Sequence, residues 1–149
     1  MKLFLTINAN FIKIEQPLLI KGIVQNDMTD DIWIQNRVPY LNTRIMLTDP
    51  VGNQWLFCPY QFKKLAPVQA HYYSCIKPGE KELIFSISGK AGESFQSRYW
   101  SFISSNQFKL TPFSLKGKYN LAAVYNDKKP KHNYAICRPL EAEVNFLIK

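Results

Sequence analysis

The chain has 149 residues, enough for one domain spanning 1–149 that buries on the order of 70% of its unfolded surface. Hydrophobic residues make up 46% and aromatics 14%, yet no apolar run approaches the ~18 residues that a membrane-spanning helix needs. The net charge of +8 favours solubility and an acidic partner, but the cations are scattered from Lys2 to Lys149, which argues against nucleic acid.

The chain opens on Met1-Lys2-Leu3-Phe4-Leu5, which has the start of a leader peptide. Asn8, Asn10 and Lys13 interrupt the apolar stretch, and no small-residue cleavage site follows. The segment reads instead as a first strand, with Leu3, Leu5 and Ile7 on one face. On that reading the protein stays in the cytoplasm; a leader already removed would place it in the periplasm or outside the cell. The apolar phase slips before Ile12 and Ile14, which predicts a bulge or kink near Asn10. Leu18 to Gln25 is a second strand. Asn26 to Asp31 is a polar turn, and Ile32-Trp33-Ile34 a short third strand. Thr43 to Thr48 and Gln54 to Cys58 form a hairpin around Asp49-Pro50-Val51-Gly52-Asn53.

The middle is less regular. Tyr60 to Ala70 has no clean period, and His71 to Ser74 reads as an edge strand. Lys77-Pro78-Gly79-Glu80 is a strong turn, since proline presets φ and glycine supplies a positive one. Lys81 to Ile87 follows, with Leu83, Phe85 and Ile87 on the apolar parity. The long connection from Gly89 to Leu115 has room for a short helix or an extra hairpin around Arg98 to Ile103. Gly117 to Tyr125 and Leu140 to Ile148 are the clearest strands. In the last, Leu140, Ala142, Val144, Phe146 and Ile148 share one parity, and Glu141, Glu143 and Asn145 the other. One wet and one buried face describes a half-buried antiparallel sheet. No stretch has a sustained helical period. About seven to nine short strands separated by turns predict an all-β, antiparallel sandwich of two sheets.

Leu115-Lys116-Gly117-Lys118-Tyr119-Asn120-Leu121 resembles the tyrosine corner of immunoglobulin-like and fibronectin-type domains. Pro78-Gly79-Glu80, a strand, and then Gly117-x-Tyr119-x-Leu121 is similar to many bacterial immunoglobulin-like modules. The resemblance implies that Tyr119 bonds back to upstream backbone and that Trp33, on the third strand, is the core tryptophan. Leu121 stands where an antibody domain has its second cysteine, so the inter-sheet disulfide is absent. Adhesion, scaffolding, inhibition or ligand binding are the roles the resemblance implies, and the fold alone does not choose among them.

No catalytic signature is present: Gly-x-Ser-x-Gly and His-Glu-x-x-His are absent, and Gly89 to Ser94 fails the phosphate-loop pattern. Cys58, Cys75 and Cys137 are an odd set, so one disulfide and three buried thiols both fit. His71 with Cys75 lacks the usual zinc spacing, and Glu141 and Glu143 share a solvated face. No metal or other cofactor is expected, nor catalysis by a cysteine paired with His132.

Surface chemistry remains. Lys128, Lys129, Lys131, His132 and Tyr134 crowd the connection between the last two strands. Loops at a sandwich end often bind partners, and cations with a tyrosine suit an acidic protein surface or an anionic glycan. Arg98, Tyr99 and Trp100 form a second candidate, being residue types enriched in binding hot spots. The expectation is a non-catalytic protein-binding module, an inhibitor or immunity protein for an acidic partner. The alternative is a carbohydrate-binding module with Trp55, Trp100 and the many tyrosines on a stacking platform.

Overall fold

The computed structural model describes residues 1–35, 42–59, 72–91, 100–104, 112–136 and 138–149, with side chains at all of these except 58, 59 and 100–104. The described residues hold eleven strands and no helix: β1 (Lys2–Ile7), β2 (Phe11–Ile12), β3 (Pro17–Gln25), β4 (Ile32–Gln35), β5 (Thr43–Thr48), β6 (Gln54–Pro59), β7 (Tyr73–Ile76), β8 (Lys81–Lys90), β9 (Trp100–Ser104), β10 (Gly117–Tyr125) and β11 (Leu140–Ile148). They form three hydrogen-bonded sheets, ordered β1-β3-β8, β2-β11-β10-β5-β6-β9 and β4-β7. The chain is therefore all-β, as its alternation predicts, but with more strands than seven to nine and three sheets rather than two.

The extra elements have local causes. The slip near Asn10 is a change of sheet: β1 pairs with β3, and β2 crosses to lie parallel to β11. This parallel contact is an exception to the antiparallel rule and is held by Leu147 N–H to Asn10 C=O at 3.0 Å and Lys149 N–H to Ile12 C=O at 2.9 Å. β4 and β7 form their own ladder, with Trp33 opposite Cys75 and Gln35 opposite Tyr73. In the long connection, residues 100–104 are a strand on the edge beside β6 rather than a helix.

The core lies between the sheets. From the six-stranded sheet come Ile45 and Leu47 of β5, Tyr119, Leu121 and Tyr125 of β10, and Phe146 and Ile148 of β11. Leu18, Ile20 and Val24 of β3, with Phe85 and Ile87 of β8, meet them from the three-stranded sheet. Glu141, Glu143 and Asn145 are exposed, so the alternation read from β11 holds. In β8 it breaks. The register shifts between Gly22 and Ile23 of β3, consecutive Ile84 and Phe85 are both buried, and Leu83 is turned outward at 48% exposure. An extra residue in one strand of a pair has this effect.

Tyr119 is wholly enclosed. Its hydroxyl donates to Leu115 C=O at 2.8 Å and accepts from Leu115 N–H at 3.1 Å, and its ring stacks on Phe146 with centroids 5.4 Å apart. Gly117 begins the strand at φ +135°, and a Cβ there would sit 2.7 Å from Pro50. Tyr119→Phe strands both backbone groups of Leu115, and its expected cost is about 1–2 kcal/mol in urea unfolding. An unchanged midpoint would show that the hydroxyl does not anchor this turn.

Trp33 departs from the core position expected of it. Ile32 and Ile34 of β4 are buried, so strand parity turns Trp33 to the other face, where it is half-buried. Among the described side chains the enclosed tryptophan is Trp55, at 4% exposure, whose indole N–H donates to Asp49 at 3.3 Å.

Candidate functional site

Asp-x-Lys at the end of β10 is a local turn signal, because an aspartate side chain bonds backbone two residues on. Asp127 does this: Lys129 N–H donates to its Oδ1 at 3.3 Å. Its Oδ2 accepts the hydroxyl proton of Tyr73, on β7. The same hydroxyl oxygen accepts from Lys131 N–H at 3.0 Å. Tyr73 and Asp127 are both buried, at 5% and 6% exposure. Burial, followed by the bond to Asp127, pushes the Tyr73 phenol up to about 12. A buried carboxylate and a buried phenol thus pin the loop that carries the lysines.

The far side of the loop is held by rings. His132 stacks on Trp33 with centroids 4.1 Å apart and planes 21° from parallel. Its ring lies 5.8 Å from Tyr73 and 6.0 Å from Tyr134. The His132 Nδ1 accepts from Tyr134 N–H at 3.2 Å, and Ile136 N–H donates to Trp33 C=O at 3.3 Å. At the loop's entry, Tyr125 hydroxyl accepts from Gln35 N–H at 2.9 Å, and Asn126 N–H donates to Asn42 C=O at 2.8 Å.

This frame borders a cleft of about 830 Å³ whose lining includes Arg44, Tyr73, Asp127, Lys128, Lys129 and Lys131. Arg44 comes from β5, where it is the register partner of Val124. Four cations therefore face one carboxylate, and that carboxylate is already occupied by a phenol and a backbone N–H. All four cations are exposed, and among the described residues none of them forms an ion pair. The arrangement is an electropositive concavity with an ordered rim.

Of the residues singled out in the sequence, Lys128, Lys129 and Lys131 line the cleft. Tyr134 lies just beyond at 74% exposure, and His132 is half-buried under Trp33. Arg98 and Tyr99 lie outside the described residues, as does the side chain of Trp100. Arg44, Tyr73 and Asp127 belong to the site but were not legible as site residues. Asp127 had a turn signal. Arg44 had only its outward parity beside buried Ile45. Tyr73 had none, because its partner is remote in sequence.

Trp55 points inward with Leu47 and Leu121, so it has no place on a sugar-stacking platform. Cys75 is half-buried, and burial, with Asp31 beside it, raises its thiol pKa, which disfavours the nucleophilic thiolate. His71, Cys137 and the side chain of Cys58 lie outside the described residues, among which no group of three His, Cys, Asp or Glu is placed to hold a metal. No helix among the described residues is long and apolar enough to cross a membrane. Compared with known proteins, the sequence matches no family model and no curated relative.

Proposed function

We propose that this chain is a non-catalytic, immunoglobulin-like binding module that engages an acidic protein partner through its β10–β11 loop, as an inhibitor or immunity protein does. The immunoglobulin-like reading is supported by Tyr119, whose hydroxyl returns to backbone four residues upstream at the start of the penultimate strand. The observation that carries the binding reading is the convergence of Arg44, Lys128, Lys129 and Lys131 on one cleft with no ion-pair partner of their own among the described residues. Unpaired like charges repel one another, and a partner of opposite sign relieves that repulsion and speeds encounter. The loop is also held on both sides before any partner arrives, which lowers the ordering cost of association.

The experiment is affinity capture from the native source with the intact protein and with a Lys128→Glu/Lys131→Glu variant. The expected result is one dominant acidic protein retained by the unmodified chain, released by salt, and absent from the variant. Purified, that protein should lose activity on adding the chain and keep it on adding the variant. Equal recovery by both forms would sink the proposal.

A further inference from the structure

We infer that the cleft receives a single carboxylate-rich segment of the partner chain, threaded between Arg44 and the lysine loop, with Tyr73 and Asp127 acting as positioning residues; this rests on the binding reading above. Its size is the first argument. About 830 Å³ lies toward the upper end of small-ligand sites and far exceeds what one carboxylate or phosphate fills. Charge placement is the second. Arg44 rises from β5 and the three lysines from the loop after β10, so the cations border the space from two elements and suit several separate anionic groups.

The backbone supplies the argument against phosphate. Many phosphate sites gather free backbone N–H groups into a concavity or use bidentate guanidinium forks, beside lysines that act as point charges. Here the N–H groups of Lys129 and Lys131 are already given to Asp127 and Tyr73. One arginine remains, with three lysines, which act as point charges on flexible stems and neutralise carboxylates without demanding a fixed plane. Lysine stems also pack against methylenes such as those of glutamate. Asn42, Thr43, Val124 and Asn126 add uncharged lining among the described residues. Trp55, Tyr119 and Tyr125 offer no stacking face to a glycan, since their rings are enclosed.

Asp127 lines a site for anions, but each of its carboxylate oxygens already accepts a hydrogen bond. It accepts from Tyr73 and from Lys129 N–H, and so fixes the turn that sets Lys128, Lys129 and Lys131 around the opening. Tyr73→Phe removes this link and keeps every charge.

The test uses the full chain and a fluorescently labelled octaglutamate peptide, followed by anisotropy. Saturable binding is expected, weakened by salt and weakened at least about tenfold by either Lys128→Glu or Lys131→Glu. Lys13→Glu, outside the cleft, should leave it unchanged. Tyr73→Phe should weaken binding roughly three- to tenfold, while amide exchange accelerates at Lys129 and Lys131 and stays slow at Leu121. Four results would overturn the inference: no saturable binding, displacement of the peptide by inorganic phosphate at equal charge, tighter binding of a heparin hexasaccharide than of the peptide, or charge reversals without effect. If octaglutamate fails while charge-dependent capture of the native partner persists, this inference falls and the binding reading stands. If both fail, both fall.

Discussion

Between pH 10 and pH 12 the protein is expected to lose up to about 4 kcal/mol of stability per pH unit. Three phenols cause this. Burial, as the largest cause in each case, pushes Tyr73, Tyr119 and Tyr125 up to about 12. In the unfolded chain they release their protons near the ordinary tyrosine value of about 10. Across this window the unfolded state therefore binds fewer protons than the folded state, and stability falls as pH rises. Below about pH 9 all three are protonated in both states, and their contribution is intact. All three rings are at most 5% exposed, so solvent screens the effect little. A loss of this size over two units is comparable with the whole stability of a typical domain, about 5–15 kcal/mol. Urea midpoints at pH 8, 10 and 11, read beside phenolate absorbance, check it. Tyr125→Phe should flatten the slope by about a third, one proton of three. A level profile to pH 12 would mean that these phenols titrate normally.

A Phe85→Ala substitution should cost about 3–5 kcal/mol, and it should also reverse the effect of a second change. Phe85 lies across the sheet from Gly22, and its ring occupies the place of the missing side chain. A Cβ at position 22 would lie 2.2 Å from a ring carbon, so Gly22→Ala alone forces the ring or the strands apart. Overpacking of this kind costs about 1–3 kcal/mol. Once the ring is gone the obstacle is gone too, and Gly22→Ala should then stabilise by about 0.5–1 kcal/mol through a less flexible unfolded chain. The double-mutant cycle measures the coupling directly. Equal costs for Gly22→Ala in both backgrounds would show that the ring is not what requires glycine there.

These two results draw on parts of the chain that were unequally legible. β10 and β11 were read with their bounds, and β11 also with its buried face, because it has one wet side and alternation survives undisturbed. Tyr119 was readable for another reason: its bond is to Leu115, four residues away, so cause and effect sit in one motif. Leu83 was read as buried and is not, because Ile84 is an extra residue in β8 relative to β3 and shifts the parity, which shows only when the two strands are paired. Trp33 was assigned to the core by resemblance, whereas the parity of Ile32 and Ile34 already pointed it outward. In the site, the lysines were visible as a cluster in sequence. The groups that orient them were not, since Tyr73 and Asp127 meet only after β7 and β10 have been placed. Local pattern carries information about faces and turns; it carries little about contacts that the fold creates between distant segments.

The crossing from β1 to β2 has a kinetic consequence. Asn10 and Ile12 bond to Leu147 and Lys149, so this contact closes a loop of nearly the whole chain. Few pairings in the molecule demand a larger loss of chain freedom, and only two residues of β2 are there to repay it. Hairpins such as β5–β6 close over short spans and form first. The flank of β11 is accordingly expected to stay open until the rest of the molecule has collapsed, so that covering it is the final act of folding.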